Sequence, residues 1–189
     1  MALQTNNKVK YNIKNVYYAK KTAESTYEEP VAIPGAVSIS LEQQGEISAF
    51  YADGIKYFNS ASNGGYEGDL EVALVHDQFR EDILGEKKDT NGVLFENADT
   101  PNVEFALGFQ IDGDKAPTLF WFYNCTATRP SVESSTTEDT IEPSTDTLNI
   151  SCAASEDGNI RAKTTAESYE KVKDTWFTEV YKKDKSLGG

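Results

Sequence analysis

Apolar and polar residues alternate along much of the chain with the period of two that a half-buried β-strand requires. Four segments show this alternation clearly: 37–42, 69–74, 104–111 and 147–152. The run LFWFY at 119–123 is apolar on both faces and predicts a strand buried on both sides. Three shorter strands are predicted at 47–51, 55–58 and 160–164. Turn residues separate these strands, most clearly at Asp53-Gly54 and at Asp112-Gly113-Asp114-Lys115.

Two segments carry apolar residues at helical spacing instead. The first lies around Phe79, and we expect Asp77 to cap it and Gly85 to end it. The second spans roughly 167–181, with one apolar face formed by Tyr169, Val172, Trp176 and Val180. About eight strands and two helices indicate a mainly β protein. We expect a β-sandwich or partly open barrel with a short helix and a C-terminal helix packed on it.

The length of 189 residues fits one domain with flexible ends. We expect a basic N-terminal arm and first strand at 1–22, a β domain at 23–181 and a flexible tail at 182–189. The hydrophobic share of 38% is too high for a disordered chain. No apolar run approaches the ~20 residues that span a bilayer, and the N-terminus lacks a signal peptide. The sequence therefore predicts no membrane insertion.

Charge is spread unevenly along the chain, whose net charge is −13. Residues 1–22 hold five lysines and no acid, whereas residues 23–128 hold 5 bases and 19 acids. The stretch 161–189 is mildly basic again. An acidic body does not grip phosphate, so the charge pattern disfavours a DNA-binding protein. Solubility explains the pattern simply; alternatively, the basic end of one copy docks on the acidic body of another.

Residues with catalytic or metal-binding potential are few. No nucleophile, phosphate-loop, zinc or dinucleotide motif is present. We expect His76 to stand at the start of the short helix rather than to act as a general base. The Asp112-Gly113-Asp114 triplet is too short for a calcium loop, and a hairpin turn explains it. The sequence thus predicts no catalytic residue, no metal ligand and no cofactor.

The two cysteines, Cys125 and Cys152, lie in different apolar stretches and lack the spacing of a metal site. We expect two buried, reduced thiols. A bridge between neighbouring strands is the alternative.

The polar faces of the predicted strands are short of the lysines and arginines that usually guard exposed sheet edges. An ordinary sheet facing solvent would have a similar pattern of small and acidic residues. These faces comprise Ser38, Ser40, Glu42, Asp69, Glu71, Glu104, Ala106, Gly108 and Gln110. A nearby loop is rich in aromatic residues, as a partner-binding hairpin would be. We therefore predict a subunit-contact loop formed by Phe50, Tyr51, Tyr57 and Phe58.

From about residue 8 to residue 181 the chain resembles the major tail proteins, or tail tube proteins, of long-tailed phages and prophages of Gram-positive bacteria. The resemblance is carried by several blocks in the family's order: PVAIPGAV at 30–37, FYADGI at 50–55, NGGYEGDLE at 63–71, FREDILG at 79–85 and YNCTATRPS at 123–131. Residues 2–7 and the tail after residue 181 lie outside it.

This resemblance implies a structural virion protein and not an enzyme. Subunits of that family join their inner sheets into rings, usually sixfold, which stack into a hollow tail tube around a tape-measure protein. Tail terminator and distal tail proteins are the expected partners at the ends of the tube. The implied location is the virion tail, assembled in the host cytoplasm. DNA is then a cargo that passes through the tube during ejection without adhering.

An acidic bore would repel the phosphate backbone, whereas a lysine-lined wall would bind it through counterion release. We therefore predict that the residues lining the bore include some of Glu42, Glu46, Asp69, Glu71 and Glu104. We further predict a basic stacking arm that contains Lys8, Lys10 and Lys14. The alternatives are a decoration or receptor-binding β-domain, the tube of a phage-derived bacteriocin, or an enzyme of unfamiliar type.

Overall fold

The computed structural model describes residues 7–136 and 143–183. Within these ranges the chain forms thirteen β-strands and two helices. The strands are β1 (Lys10–Ala23), β2 (Thr26–Tyr27), β3 (Val31–Ala32), β4 (Ala36–Gln44), β5 (Ile47–Ala52), β6 (Ile55–Ala61), β7 (Gly65–Val72), β8 (Lys87–Lys88), β9 (Leu94–Phe95), β10 (Phe105–Gly113), β11 (Thr118–Ala127), β12 (Asp146–Cys152) and β13 (Arg161–Lys163). The helices are α1 (Asp77–Asp82) and α2 (Ala166–Val172). The prediction of a mainly β protein with two helices is confirmed.

One large antiparallel sheet organises the fold. Its strand order is β2-β1-β10-β11-β12-β7-β4, with β3 added beside β1 and β13 added beside β11. The sheet curls so that β4 approaches β1 without pairing with it. The result is the partly open barrel that the sequence predicts. Two small hairpins, β5–β6 and β8–β9, stand apart from this sheet.

The main core fills the concave side of the curled sheet. Alternate residues of β7 and β12 point into it and are fully buried, including Leu70, Val72, Leu148 and Ile150. Helix α1 closes one side, with Phe79 at right angles to Phe105. Burying these side chains supplies most of the driving force for folding, at roughly 1.5–3 kcal/mol for each large apolar group.

A second core lies on the opposite side of β1, β10 and β11. The C-terminal segment crosses this side and places Trp176 and Val180 against Trp121. The indole N–H of Trp121 donates a hydrogen bond to the carbonyl oxygen of Trp176 at 2.9 Å. The apolar run of β11 is therefore buried on both faces, as predicted, because one face meets each core.

The predicted polar face of β10 is wrong. Ala106 and Gly108 are buried, because the ring of Trp121 lies directly over Gly108. A methyl group at Gly108 would come within 2.7 Å of that ring. Small residues at these positions make room for the indole, so they signal a covered face and not a solvated one.

The C-terminal helix is shorter than predicted. It begins after Thr165, whose side chain and that of Ser168 form a capping box, and it ends at Val172. Beyond that point the backbone makes turns, in which Thr175 and Thr178 each donate a backbone N–H to the residue three before. Their hydroxyl groups donate to the same carbonyls and so favour turns over a continued helix.

Several strand boundaries also differ from the prediction. The register shifts between Ala36 and Ser38, and Val37 is consequently exposed instead of facing the core. Strand β7 ends at Val72, which leaves Leu74 exposed, and β6 extends to Ala61, three residues beyond the strand predicted at 55–58. At α1 the N-cap is His76, as expected for a residue at the start of the helix, and Asp77 is the first helical residue and not the cap.

The two cysteines form a disulfide, so the expectation of two reduced thiols is wrong and the alternative of a bridge holds. Cys125 and Cys152 are directly opposite each other on β11 and β12, with Cα atoms 4.0 Å apart. The two cysteines are 27 residues apart in the sequence, and this spacing does not indicate that their strands are neighbours in the sheet. Because only three residue pairs join β11 to β12, the bond reinforces a narrow junction in the sheet.

Candidate functional site

The outer face of β4, β7 and β12 is exposed and acidic. On each strand the residues between the buried ones point outward, away from the main core. We call this surface the acidic face; it consists of Ser38, Ser40, Glu42, Glu67, Asp69, Glu71, Thr147, Asn149 and Ser151. These three strands contain no lysine or arginine. The surface therefore carries acids on β4 and β7, neutral polar groups on β12 and no cation on any of the three strands.

Neutral donors hold the carboxylates of this face in place. Glu71 accepts hydrogen bonds from the hydroxyls of Thr145 at 2.7 Å and Ser38 at 2.9 Å. These two bonds lower the pKa of Glu71 below its ordinary value. Asn149 donates its amide to Asp69 at 3.2 Å. The acids are thus ordered without being neutralised.

The structure brings three of the five predicted lining acids together. Glu42, Asp69 and Glu71 all lie on the acidic face. Glu46 follows the end of β4, where its backbone N–H donates to the Ser62 hydroxyl at the base of the β5–β6 hairpin. Glu104 precedes β10 and forms an ion pair elsewhere on the subunit. Whether any of these acids lines a bore stays a prediction.

Sequence reasoning missed Glu67 as a member of this face. It lies opposite Glu42 in the pairing of β4 with β7 and opposite Ser151 in the pairing with β12. Its spacing of two from Asp69 was the available signal. Gly68 between them obscured the strand, but the strand needs a glycine there: a Cβ would lie 1.8 Å from the carbonyl oxygen of Ser40.

Glu104 belongs to a charge cluster beside β1 and β2. The ammonium group of Lys21 contacts Glu104 at 2.8 Å and Glu156 at 2.7 Å. Although partial burial of Lys21 disfavours its charge, the hydrogen bonds to both carboxylates prevail and raise its pKa to about 12. The bond from Lys21 in turn lowers the pKa of Glu156 to about 2. In this cluster a cation compensates the carboxylates, whereas on the acidic face the carboxylates have no cationic partner among the described residues.

The predicted subunit-contact loop is the exposed β5–β6 hairpin. Tyr51, Tyr57 and Phe58 expose 65%, 70% and 62% of their surface, and Ile55 exposes 62%. The side chain of Phe50 lies outside what the structure describes. Four large apolar side chains on a hairpin that pairs with no other described strand form an unusually apolar protrusion. Its role in subunit contact stays a prediction.

The predicted stacking arm is docked on its own subunit over residues 7–14. Asn7 bonds the backbone of Ala116, and the backbone N–H of Lys8 donates to Asp114 at 2.7 Å. Lys10 begins β1, and Lys14 forms an ion pair with Asp112 at 2.7 Å. The hydrogen bond to Asp112 raises the pKa of Lys14. These residues are thus part of the folded body.

Other positions considered for chemistry have structural environments. His76 borders an open cleft of about 900 Å³ between β3 and α1, and its carbonyl accepts the backbone N–H of Arg80. Over residues 7–136 and 143–183 no three His, Cys, Asp or Glu side chains are grouped as a metal site would require. None of the helices in those ranges is long and apolar enough to cross a membrane.

Comparison with known proteins identifies the family. The sequence matches the phage tail tube protein family over residues 8–186, nearly its whole length. The chain belongs to the phage tail tube protein family. The resemblance drawn from the sequence blocks is thereby confirmed. Tail tube proteins are structural components of the phage tail and are not an enzyme family.

Comparison with solved structures also finds similar chains. This tail tube protein is similar to a chain in "Cryo-EM structure of the anti-feeding prophage (AFP) baseplate, 6-fold symmetrised", with a TM-score of 0.47 and 11% sequence identity. The similarity covers 84% of this chain and 96% of that chain. No curated protein has a sequence that matches.

Proposed function

We propose that this tail tube protein assembles with copies of itself into stacked rings, and that its acidic face lines the bore through which genome DNA passes during ejection. Membership of the family supports the tube. The observation that carries the lining is the acidic face itself. It is the one large outer face of the described sheet that combines several acids with no cation and no covering segment.

Electrostatics explains how such a wall would serve DNA passage. Carboxylates repel phosphates, so the duplex gains nothing by resting on the wall and meets no binding site that would slow it. Screening over ~8 Å at physiological salt limits the repulsion to the layer next to the wall. Hydrogen bonds from Thr145 and Ser38 favour the ionised form of Glu71, which keeps the wall anionic.

Unpaired strand edges support assembly into rings. No described strand pairs with the outer edge of β4, and β1 pairs with β3 and β2 only from Tyr17 onward. Exposed edges invite pairing with another chain. Pairing one edge of each subunit with the other edge of its neighbour is a head-to-tail contact that closes by rotation. A ring, sixfold as the family resemblance implies, would remove these edges.

The β5–β6 hairpin supports a further contact between subunits. Its exposed tyrosines and phenylalanine would be buried against a neighbouring copy, which explains why a soluble acidic subunit carries an apolar protrusion. The tape-measure protein would occupy the bore before DNA does. Terminator and distal tail proteins would cap its ends.

Electron microscopy of the purified chain at rising concentration tests the assembly. We expect rings and then tubes, and monomers that persist at every concentration would contradict self-assembly. Such monomers would favour a decoration or receptor-binding domain.

Charge reversal tests the lining. In the variant E42K/D69K/E71K we expect tubes to form but to retain added DNA at low salt and release it as salt rises. A matched control reverses three exposed acids away from the acidic face: Asp99, Glu133 and Glu179. Equal DNA retention by both variants would contradict the lining, because the response would then depend on net charge alone.

A further inference from the structure

A basic cleft lies at the end of the curled sheet where the chain enters β1. Its volume is about 360 Å³. It is bordered by the segment before β1, by β11 and by β13. The cations that line it are Lys8, Lys10, Arg161 and Lys163. No acid lines it, although acids far outnumber bases in this chain.

The fold brings these cations together by two separate devices. The Asn7 side chain clamps the incoming segment to the β10–β11 turn, with bonds of 2.7 and 3.0 Å to the backbone of Ala116. On the other side, β13 pairs with β11 so that Lys163 lies opposite Phe120 and Arg161 opposite Phe122. Like charges repel, so a bound anion would stabilise this arrangement of four cations.

The charged groups are positioned but retain their hydrogen-bond donors. Lys163 lies over the ring of Phe120 at 5.8 Å, and Arg161 lies over the ring of Tyr66 at 5.2 Å. A cation–π contact orders the side chain and uses none of its N–H donors. Among the described residues no carboxylate forms an ion pair with any of the four cations. The neighbouring Asp114 is already bonded to the backbone N–H groups of Lys8 and Val9.

We propose that the basic cleft binds the carboxylates of a second copy of this chain, contributed by an acidic turn at the opposite end of β1. That turn, which runs from the end of β1 through β2 to β3, carries Glu24, Glu28 and Glu29; all three are exposed, and none forms an ion pair with another described residue. The inference rests on the proposed tube, because it identifies the contact by which one ring stacks on the next.

Charge and position together select this turn as the occupant, because the exposed acids of the acidic face are already assigned to the bore. Residues 22–55 contain no lysine or arginine. Of the other acids near the turn, Glu104 and Glu156 are paired with Lys21, and Asp157 accepts a hydrogen bond from the Ser25 hydroxyl at 3.4 Å. Lys182 and Lys183 border Ser25 at the same end but form no ion pair with the turn. Among the described residues no cation forms an ion pair with the three glutamates, although Lys20 lies across from Glu28, whose backbone N–H donates to the Lys20 carbonyl oxygen.

The position of the two surfaces determines the direction of growth. Lys10 begins β1 and the acidic turn follows its last residue, Ala23. A bulged strand of 14 residues is at most about 45 Å long at ~3.3 Å per residue, so Lys8 and Lys10 lie far from the turn on one subunit. Arg161 lies nearer to the turn, because its pairing with Phe122 puts it level with Tyr18 of β1. Contact between opposite ends is head-to-tail and repeats along the strand without closing. It therefore suits the stacking of rings and not their closure.

Charge reversal at the cleft provides the first test. Electron microscopy of R161E/K163E should show rings but few stacked tubes, with the fraction of rings in tubes reduced roughly tenfold. Several exposed ion pairs, each changing an equilibrium about two- to fivefold, account for that size. K8E/K10E reverses the charges on the other side of the cleft. If R161E/K163E fails to fold, this variant tests the stacking contact in its place. Tubes of parental length from a folded variant would overturn the proposal.

A charge swap identifies the occupant. E28K/E29K should lose stacking as R161E/K163E does, and the chain carrying all four substitutions should regain tubes. Failure of the swap to restore stacking, with rings intact, would show that the turn is not the occupant. The control K87E/K171E reverses two exposed cations away from the cleft. It changes the net charge by as much as R161E/K163E does and should leave stacking unchanged.

Two further outcomes separate this inference from the proposed function. If the parent chain forms no rings, self-assembly itself fails and this inference falls with it. If the parent forms tubes and R161E/K163E loses only affinity for short duplex DNA, with stacking intact, the cleft is a phosphate site and the protein–protein contact is wrong. If R161E/K163E forms rings that do not stack, the result supports the protein–protein contact and not a phosphate site.

Discussion

The outer surface of the large sheet has two halves with the same alternation of residues, but one half is covered by another segment and the other is exposed. Over β10 and β11 the outer face is covered by the C-terminal segment and forms a second core. Over β4, β7 and β12 it is uncovered and acidic. A period of two reports which residues share a face, but it does not report whether anything packs on that face. The side chains themselves decide that.

Residue size distinguishes the covered half from the uncovered one. On the covered half, Ala106 and Gly108 leave a recess that the Trp121 ring fills. On the uncovered half, acids alternate with hydroxyl and amide groups that hydrogen-bond to them, as Ser38 does to Glu71. Small apolar residues beside a tryptophan indicate a packed surface, whereas acids with neutral donors indicate a solvated or lining surface.

Removing the indole that joins the two layers should have the largest effect on this contrast. Trp121→Ala deletes a fully buried ring and its hydrogen bond to Trp176. We expect the free energy of unfolding to fall by about 3–5 kcal/mol, because the cavity forfeits both burial and packing. Urea unfolding followed by circular dichroism measures the change.

The matched substitution on the uncovered half is Thr147→Ala. Its side chain is exposed on β12, so the expected change is within about 0.5 kcal/mol. Similar losses for both variants would mean that the two halves do not differ as described.

Much of the fold was predictable because the strand periods are strong. The strands around Leu107, Leu148 and the apolar run at 119–123 were found, and the mainly β class followed from them. The long β1 was recognised only as a first strand within 1–22. It has bulges near Asn12 and Asn15, both at positive φ, and these interrupt its alternation.

The candidate site was predictable only in part, because burial on a second face depends on contacts distant in sequence. Glu42, Asp69 and Glu71 were grouped correctly by alternation alone. Glu104 was grouped with them by the same rule, yet its partner Lys21 is 83 residues away and occupies a different part of the surface. The same limit applies to the disulfide, because the sequence does not show that the strands of Cys125 and Cys152 are neighbours.

The second-largest expected effect concerns the junction between the two halves. The Cys125–Cys152 disulfide spans the three-pair contact of β11 with β12, where the covered and uncovered halves meet. Closing a loop of 27 residues restricts the unfolded chain and stabilises the fold by about 3.5 kcal/mol. Adding a reductant should therefore lower the melting temperature of the parent protein.

The double variant C125A/C152A provides the control for that measurement. Its melting temperature should be low already and should not respond to reductant. Amide exchange should report faster opening at β12 than at β10. Equal acceleration on both sides would show that the bond stabilises the subunit as a whole and does not act at the junction.

The smallest expected effect concerns how acids are held in the two regions. Glu156 depends on the charge of Lys21, and its pKa is lowered to about 2, whereas Glu71 depends on the neutral hydroxyls of Thr145 and Ser38. Because the pKa of Glu156 is lower in the folded protein, its ionised form stabilises the fold, and this stabilisation is fully present when the pH is above 4.5, the ordinary pKa of a glutamate. For Glu156 that stabilisation is lost as pH falls from 4.5 towards 2, and Glu156→Gln should flatten this part of the stability curve.

Salt should then separate the two kinds of support. Concentrated NaCl screens part of the attraction between the partly buried Lys21 and the more exposed Glu156 but leaves hydroxyl hydrogen bonds intact. In an NMR titration of side-chain carboxyls, the pKa of Glu156 should therefore rise towards its ordinary value with salt, while that of Glu71 should stay low. If the pKa values of Glu156 and Glu71 rise together with salt, Glu71 also depends on the charge of distant cations. The acidic face would then be less isolated from positive charge than its hydrogen-bond partners indicate.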